Sequence, residues 1–386
     1  MKSIHSCFLA DTWGSGITNR NSPTNFTYPY LLGSPHVVNL AMRASGPFYP
    51  AVCWHTMVGS VNPEVILLEF MLRASEGLME LATLIRAQYP GAIIIFLDLW
   101  YPRMVRVKDS HVPGKSTVSL LSYQRKLGFQ SFHDTKFVHY LKTTKVEMFL
   151  NPRSDLSALQ DEIAAAVHGY IWRLPYPKDN VTIGVHLASM LDIWSDDHKH
   201  MTETGHASVA RGLQRLLRSI PRLPHITPQS PRTWEDSCSN WLLTGKSPHE
   251  ILYGMEMKAF DIGSGKYALE VSSAGGALKV LNTFSQPVTM YLTYMVTGDN
   301  KYPDLTVIMP EGASINIVPR ISQHDHISQT TKVGLVPPGV SIITFAPLEK
   351  DSEWPFRLVA SALSHVDLEG KGFNALVQAE LVGVNG

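Results

Sequence analysis

Cysteine is scarce in this chain, with Cys7, Cys53 and Cys238 alone among 386 residues. That count excludes a disulfide framework, and two of the three sit in apolar surroundings, as buried thiols do. Net charge is missing as well: Lys plus Arg and Asp plus Glu each number 33. A chain so balanced, without a basic block, carries no electrostatic footprint for a nucleic acid or an anionic membrane surface. No apolar run approaches the length of a bilayer span. The opening MKSIHSCFLADTW holds one Lys and a short apolar patch, too short for a signal peptide, and reads as a first strand. The compartment stays open, leaning intracellular, and no membrane span is expected. Two sequons, at Asn25 and Asn180, matter only on a secretory route.

What is present is an ordinary globular composition, 44% hydrophobic and 17% charged, long enough for two domains with a core each. Ile4–Leu9, Val37–Leu40, Glu64–Phe70 and Gly91–Leu97 are short apolar runs of the kind a parallel sheet buries on both faces. Between the last two, Leu78, Leu81, Leu84 and Ile85 share one helical face, giving a β-helix-β crossover. A helix is expected over Leu156–Arg173 and a fifth strand over Val181–Leu187. Trp100–Leu150 has little pattern and reads as an exposed loop or a lid.

Residues 220–235 are Pro-rich and without apolar period, a linker. Beyond them, strands at Met255, Tyr267, Leu278, Val288, Leu305, Ile315 and Val340 alternate with Gly, Pro, Asn and Asp turns, the signal of an all-β sandwich or jelly roll. The expected division is an α/β domain over 1–219, the linker, a β-sandwich over 236–365 and an unassigned tail over 366–386. His324, Asp325 and His326 lie in a polar loop and are not read as a metal site.

The most informative stretch is Ser195–Leu217. Asp197 and His200 stand three residues apart, so one tight turn brings the carboxylate to the imidazole. Such a bond fixes the ring tautomer and stabilises the imidazolium, as a general base needs. Thr202 or Thr204 can cap the following helix, whose Val209, Leu213, Leu216 and Leu217 form one buried stripe. A solvated surface turn has the same composition. A metal held by His198, His200 and His206 is the other alternative, but no second cluster stands at ligand spacing.

The D-x-x-H-x-x-x-x-x-G-H pattern of Asp197, His200, Gly205 and His206 resembles the last block of the SGNH (GDSL-type) hydrolases. Ala10-Asp11-Thr12-Trp13-Gly14-Ser15-Gly16 is similar to the family's G-D-S-x-x-x-G nucleophile block, with Ala10 for Gly and Thr12 for Ser. The small residues from Ala41 to Gly46 stand where the family's second block supplies an oxyanion N–H. Glu69-Phe70-Met71-Leu72-Arg73-Ala74 resembles the third block, with Arg73 in place of Asn and Ala74 in place of Asp. The resemblance covers roughly residues 3 to 218. Some eukaryotic members carry a C-terminal β domain like the one expected here.

It implies a three-layer flavodoxin-like α/β fold and hydrolysis or transfer of an acyl group on a glycan, lipid or small ester, without cofactor or metal. Thr12 would be the nucleophile, His200 the base and Asp197 its orienting acid. Asp11, Gly46 and Arg73 would line the oxyanion side, and Ser15 is the alternative nucleophile. The departures define a second reading. Thr12 adds a methyl that crowds the line of attack and restricts χ1. Losing an oxyanion donor costs about 10²–10³ in rate where measured in a protease. A pseudo-hydrolase that binds a glycan or protein is therefore the competing class. The β-sandwich has open to it glycan binding, roofing of the site, assembly, or a purely structural role.

Overall fold

The computed structural model describes residues 6–10, 27–32, 37–41, 46–59, 61–70, 77–102, 105–108, 117–143, 147–150, 154–174, 181–182, 191–195, 200–221, 235–242, 244–261, 266–298, 301–320, 327–348 and 352–368. Contacts divide the chain into two compact units. One comprises Met1–Arg43, Val61–Ser75 and Tyr89–Gln229, the other Ala44–Ser60, Glu76–Gln88 and Ser230–Gly386.

The first unit contains β1 (Ser6–Ala10), β2 (Val37–Asn39), β3 (Val65–Glu69), β4 (Ile93–Asp98), β5 (Val105–Lys108), β6 (Thr117–Ser119), β7 (Glu147–Leu150), β8 (Tyr170–Arg173) and β9 (Val181–Thr182). Five of these form a parallel sheet in the order β2-β1-β3-β4-β8. Counted along the chain, that is the 2-1-3-4-5 order of flavodoxin-like sheets. The runs VILLE and IIIFLD are apolar almost throughout because neither face of the central strands meets water. Helix Glu203–Ser219 packs on β8 through Gly212, where a Cβ would meet the Trp172 indole at 2.3 Å.

Three expectations are corrected here. The fifth parallel strand is β8; of the run expected to supply it, Val181–Leu187, only Val181 and Thr182 are described. The helix expected over Leu156–Arg173 ends at Ala166 and leaves Tyr170–Arg173 to pair with Ile95–Asp98. His168, with φ of 53°, makes the reversal between them. Val181–Thr182 pairs instead with β7 in a second, antiparallel sheet, β6-β5-β7-β9. That sheet and two helices, Leu120–Lys126 and Thr135–Thr143, occupy the stretch expected to be a loop or lid. Val105 and Val107 are fully buried in the first core, the inward half of a short alternating strand.

The second unit is all-antiparallel in its strands: β10 (Asp236–Asn240), β11 (Glu250–Tyr253), β12 (Met255–Asp261), β13 (Lys266–Val271), β14 (Gly276–Asn282), β15 (Val288–Val296), β16 (Leu305–Ile308), β17 (Ser314–Ile317), β18 (Ile327–Val336), β19 (Gly339–Pro347) and β20 (Phe356–Ser364). One sheet runs β12-β13-β20-β15-β18 with β10 on β20, the other β11-β14-β19-β16-β17. A core of Leu269, Leu278, Leu292, Val307, Phe345 and Leu358 among others fills the sandwich. The fold is thus α/β with a parallel sheet, plus an all-β sandwich.

β15 is buried along its whole length because its other face is covered too. Phe48, in helix Phe48–Val52, meets Tyr291 edge to face at 5.7 Å. The same segment is fastened by a Cys53–Cys238 disulfide with Cα atoms 5.7 Å apart. This corrects the reading of the cysteines as buried thiols, for Cys53 and Cys238. Their separation of 185 residues hides the pairing, since partners so distant in sequence show no pattern along it.

Candidate active site at the carboxyl edge of the parallel sheet

In a 2-1-3-4-5 sheet the chain leaves the first strand in one direction and later returns on its other side. The crevice at the carboxyl ends of the strands flanking that reversal is where ligands bind. Here those strands are β1 and β3. Ala10 ends β1, immediately before Asp11 and Thr12, and in the ladder it stands opposite Glu69, which ends β3. The third-block resemblance therefore begins beside the nucleophile-block resemblance.

Glu69 is the one polar residue of β3 and is 1% exposed. A carboxylate so placed needs donors, and Tyr28 provides one through its hydroxyl. Tyr28 opens helix Tyr28–Leu31 and is itself fully buried. Its phenol pKa is raised well above the ordinary value, first by burial and then by the Glu69 charge, so the hydroxyl keeps its proton and donates. The backbone N–H of Tyr28 donates to His206 Nδ1 at 3.3 Å, and the two rings stack with centroids 5.8 Å apart. His206 is fully buried on helix Glu203–Ser219.

The same helix begins three residues after His200. Thr202 is its N-cap, accepting from the Gly205 N–H at 3.2 Å, and donates its own hydroxyl to the Asp192 carbonyl at 2.7 Å. Ahead of it, residues 194 and 195 are fastened to 200 and 201. The Ser195 N–H and hydroxyl both donate to the His200 carbonyl at 2.8 Å, and Trp194 bridges to Met201. Residues 195 and 200 are thus held together, while 196–199, Asp197 among them, lie outside the described residues. His133 adds a contact of 3.0 Å from Nε2 to the Trp194 carbonyl. Further along the edge, Asp98 ends β4 and is held by Arg173 Nε at 2.8 Å, while Arg173 also reaches Asp161 at 2.8 Å. Burial works against the Arg173 charge, but the bonds to Asp161 and Asp98 outweigh it and raise its pKa.

Of the residues expected at the site, His200 is half-buried at the clasped loop end, and Gly46 stands half-buried just before helix Phe48–Val52, in the second unit. Asp11, Thr12, Ser15, Arg73 and Asp197 lie outside the described residues, as do His198, His324, Asp325 and His326. Among the described residues, no group of three His, Cys, Asp or Glu could hold a metal. No described helix is long and apolar enough to cross a membrane. Tyr28 was not anticipated as part of the edge. It follows no motif, and only the buried Glu at the end of an apolar strand signals that some donor must reach it.

No protein-family model and no curated protein matches the sequence. Among solved structures, a two-domain esterase (CEX) active on acetylated mannans is similar over 95% of this chain and 92% of that one, with TM-score 0.54 and 12% identity. The same esterase co-crystallised with mannopentaose gives TM-score 0.51 at the same identity and coverage. This chain therefore shares a two-domain fold with an esterase.

Proposed function

We propose that the chain is an SGNH-type ester hydrolase or acyl transferase acting on an acylated glycan, lipid or small ester. The observation that carries the reading is the β1/β3 reversal of the parallel sheet. It supports the reading because Ala10, the residue before Asp11 and Thr12, ends at that edge opposite Glu69, in the same unit as His200 and its bonds to Ser195. In the proposed reaction the Thr12 hydroxyl attacks the ester carbonyl and passes its proton to His200. Asp197 orients the ring and stabilises its cation. The oxyanion is met by the Thr12 N–H and Arg73, with Asp11 beside them. His200 returns the proton to the departing alcohol, and water or a second alcohol then takes the acyl group by the reverse steps. The likeness to an esterase active on acetylated mannans supports a glycan ester among these substrates.

The competing reading, a pseudo-hydrolase that binds a glycan or protein, is favoured by Thr12 and Arg73 where the family has Ser and Asn. Fluorophosphonate labelling and p-nitrophenyl acetate turnover separate the two. A working enzyme gives an adduct on Thr12, turnover lost in Thr12→Ala and His200→Ala, and a gain in Thr12→Ser. An adduct on Ser15 moves the nucleophile and keeps the class. If the wild type neither labels nor turns over and only Thr12→Ser acquires activity, the hydrolase reading falls and the binding reading stands.

A further inference from the structure

The segment expected to carry the nucleophile, residues 11–26, has both flanks at Glu69. Ala10 stands opposite it in the parallel ladder, and Tyr28 donates its hydroxyl to its carboxylate. Tyr28 also faces the other way. Its backbone N–H is taken by His206, six residues beyond His200 on the helix capped by Thr202. One buried residue therefore ties the sheet edge that launches the candidate nucleophile to the helix that anchors the candidate base. We propose that Tyr28, Glu69 and His206 form a clasp that positions those two loops against each other, a deduction that rests on the hydrolase reading for its catalytic consequence.

The chemistry of the three groups fits that role. All are buried, so none is placed to meet substrate, and they are positioning residues. Bonds made to a charged or polar group out of water are directional and costly to break, which is what holding a geometry requires. A plain apolar contact in the same place would pack but would not fix a register. His206 takes part through Nδ1, so the relevant ring nitrogen is the one on the Cγ side, a position that the Oδ1 of an Asn reproduces.

The test measures p-nitrophenyl acetate turnover, thermal midpoint and hydrogen exchange in wild type, Tyr28→Phe, His206→Leu and His206→Asn, each well below its own Tm. Misplacement of reacting groups by about an ångström costs on the order of 10²-fold. We therefore expect kcat to fall about 10- to 100-fold in Tyr28→Phe and His206→Leu. KM should stay within about twofold, since no substrate contact is removed. His206→Asn should recover part of the loss seen in His206→Leu. Unchanged kcat in the folded Tyr28→Phe and His206→Leu proteins, with only Tm lowered, overturns the clasp and leaves a structural cluster. The two His206 variants carry the test should Tyr28→Phe fail to fold. If the wild type has no turnover and no adduct, the hydrolase reading has failed and hydrogen exchange decides the clasp by itself. Protection lost in peptides over 27–32 and 200–208 but kept over β4 upholds it. Protection unchanged over both overturns it.

Discussion

A methyl group on Gly205 would lie 2.4 Å from the Ile193 carbonyl oxygen, which the Thr202 N–H already occupies, and 2.8 Å from Ile193 Cγ2. The position is helical with ordinary φ, so the constraint is space and not backbone freedom. Gly205→Ala must push the helix start away from the 191–195 turn. Overpacking of this kind costs about 1–3 kcal/mol, to be read as a lower denaturation midpoint, with turnover falling further than stability because the His200 loop is displaced. A second residue-scale case is His249 in the β-sandwich. Its Nε2 lies 2.7 Å from Ser361 Oγ, and burial lowers its pKa to about 4. Between the ordinary histidine value of 6.5 and about 4, the unfolded chain holds a proton that the folded chain excludes. Stability from this group is complete above that interval and is lost as pH falls through it. The full shift is worth on the order of 3 kcal/mol. Thermal midpoints between pH 4 and 6.5, in wild type and His249→Gln, should show a shallower slope in the variant.

At the scale of elements, helix Trp54–Val58 shows how short segments are held. Its first amides, those of His55 and Thr56, donate to the Asp236 carboxylate at 2.9 and 2.8 Å, and Cys53 just before it is bonded to Cys238. Asp236→Ala should cost about 1–2 kcal/mol, the usual worth of an N-terminal cap. Cys238→Ser removes a cross-link across 185 residues, for which chain entropy allows up to about 5 kcal/mol. Urea titrations of the two variants should therefore rank Cys238→Ser as the more destabilised. Such a bond persists in an oxidising compartment, and the intracellular expectation drawn from the N-terminus did not have it to weigh.

Legibility in the sequence follows from the same elements. β3, β4 and β15 are apolar nearly throughout and were plain, as was helix Glu203–Ser219 from its cap and stripe. β10, with only Cys238 apolar, and β11, exposed along its length, carry no period to read. Tyr170–Arg173 was absorbed into the preceding helix because nothing in HGYIWR marks a stop except Gly169. At the site, the strands that end at Ala10 and Glu69 were legible. The meeting of Tyr28, Glu69 and His206 was not, since it joins residues up to 178 apart through a backbone amide.

At the scale of the whole molecule, the two units do not divide the chain at one point. The unit that holds the sandwich takes Ala44–Ser60 and Glu76–Gln88 from the first quarter of the sequence. A fragment beginning at 230 would have Tyr291 without Phe48 and Cys238 without Cys53. Expressed alone, such a fragment should be less stable than the same unit in the full chain. Supplying residues 44–88 in trans should restore part of the difference in a thermal melt.

The interleaving also sets an order of events during synthesis. Residues 46–59 emerge from the ribosome long before β10, their partner. At about 5–20 residues per second the interval is roughly ten to forty seconds. Through that time Phe48, Tyr49, Val52 and Trp54 have no sandwich to cover them, and the Cys53 thiol has Cys7 as its nearest cysteine in sequence. Until the strand bearing Cys238 arrives, that segment is open to aggregation and to pairing with the wrong cysteine.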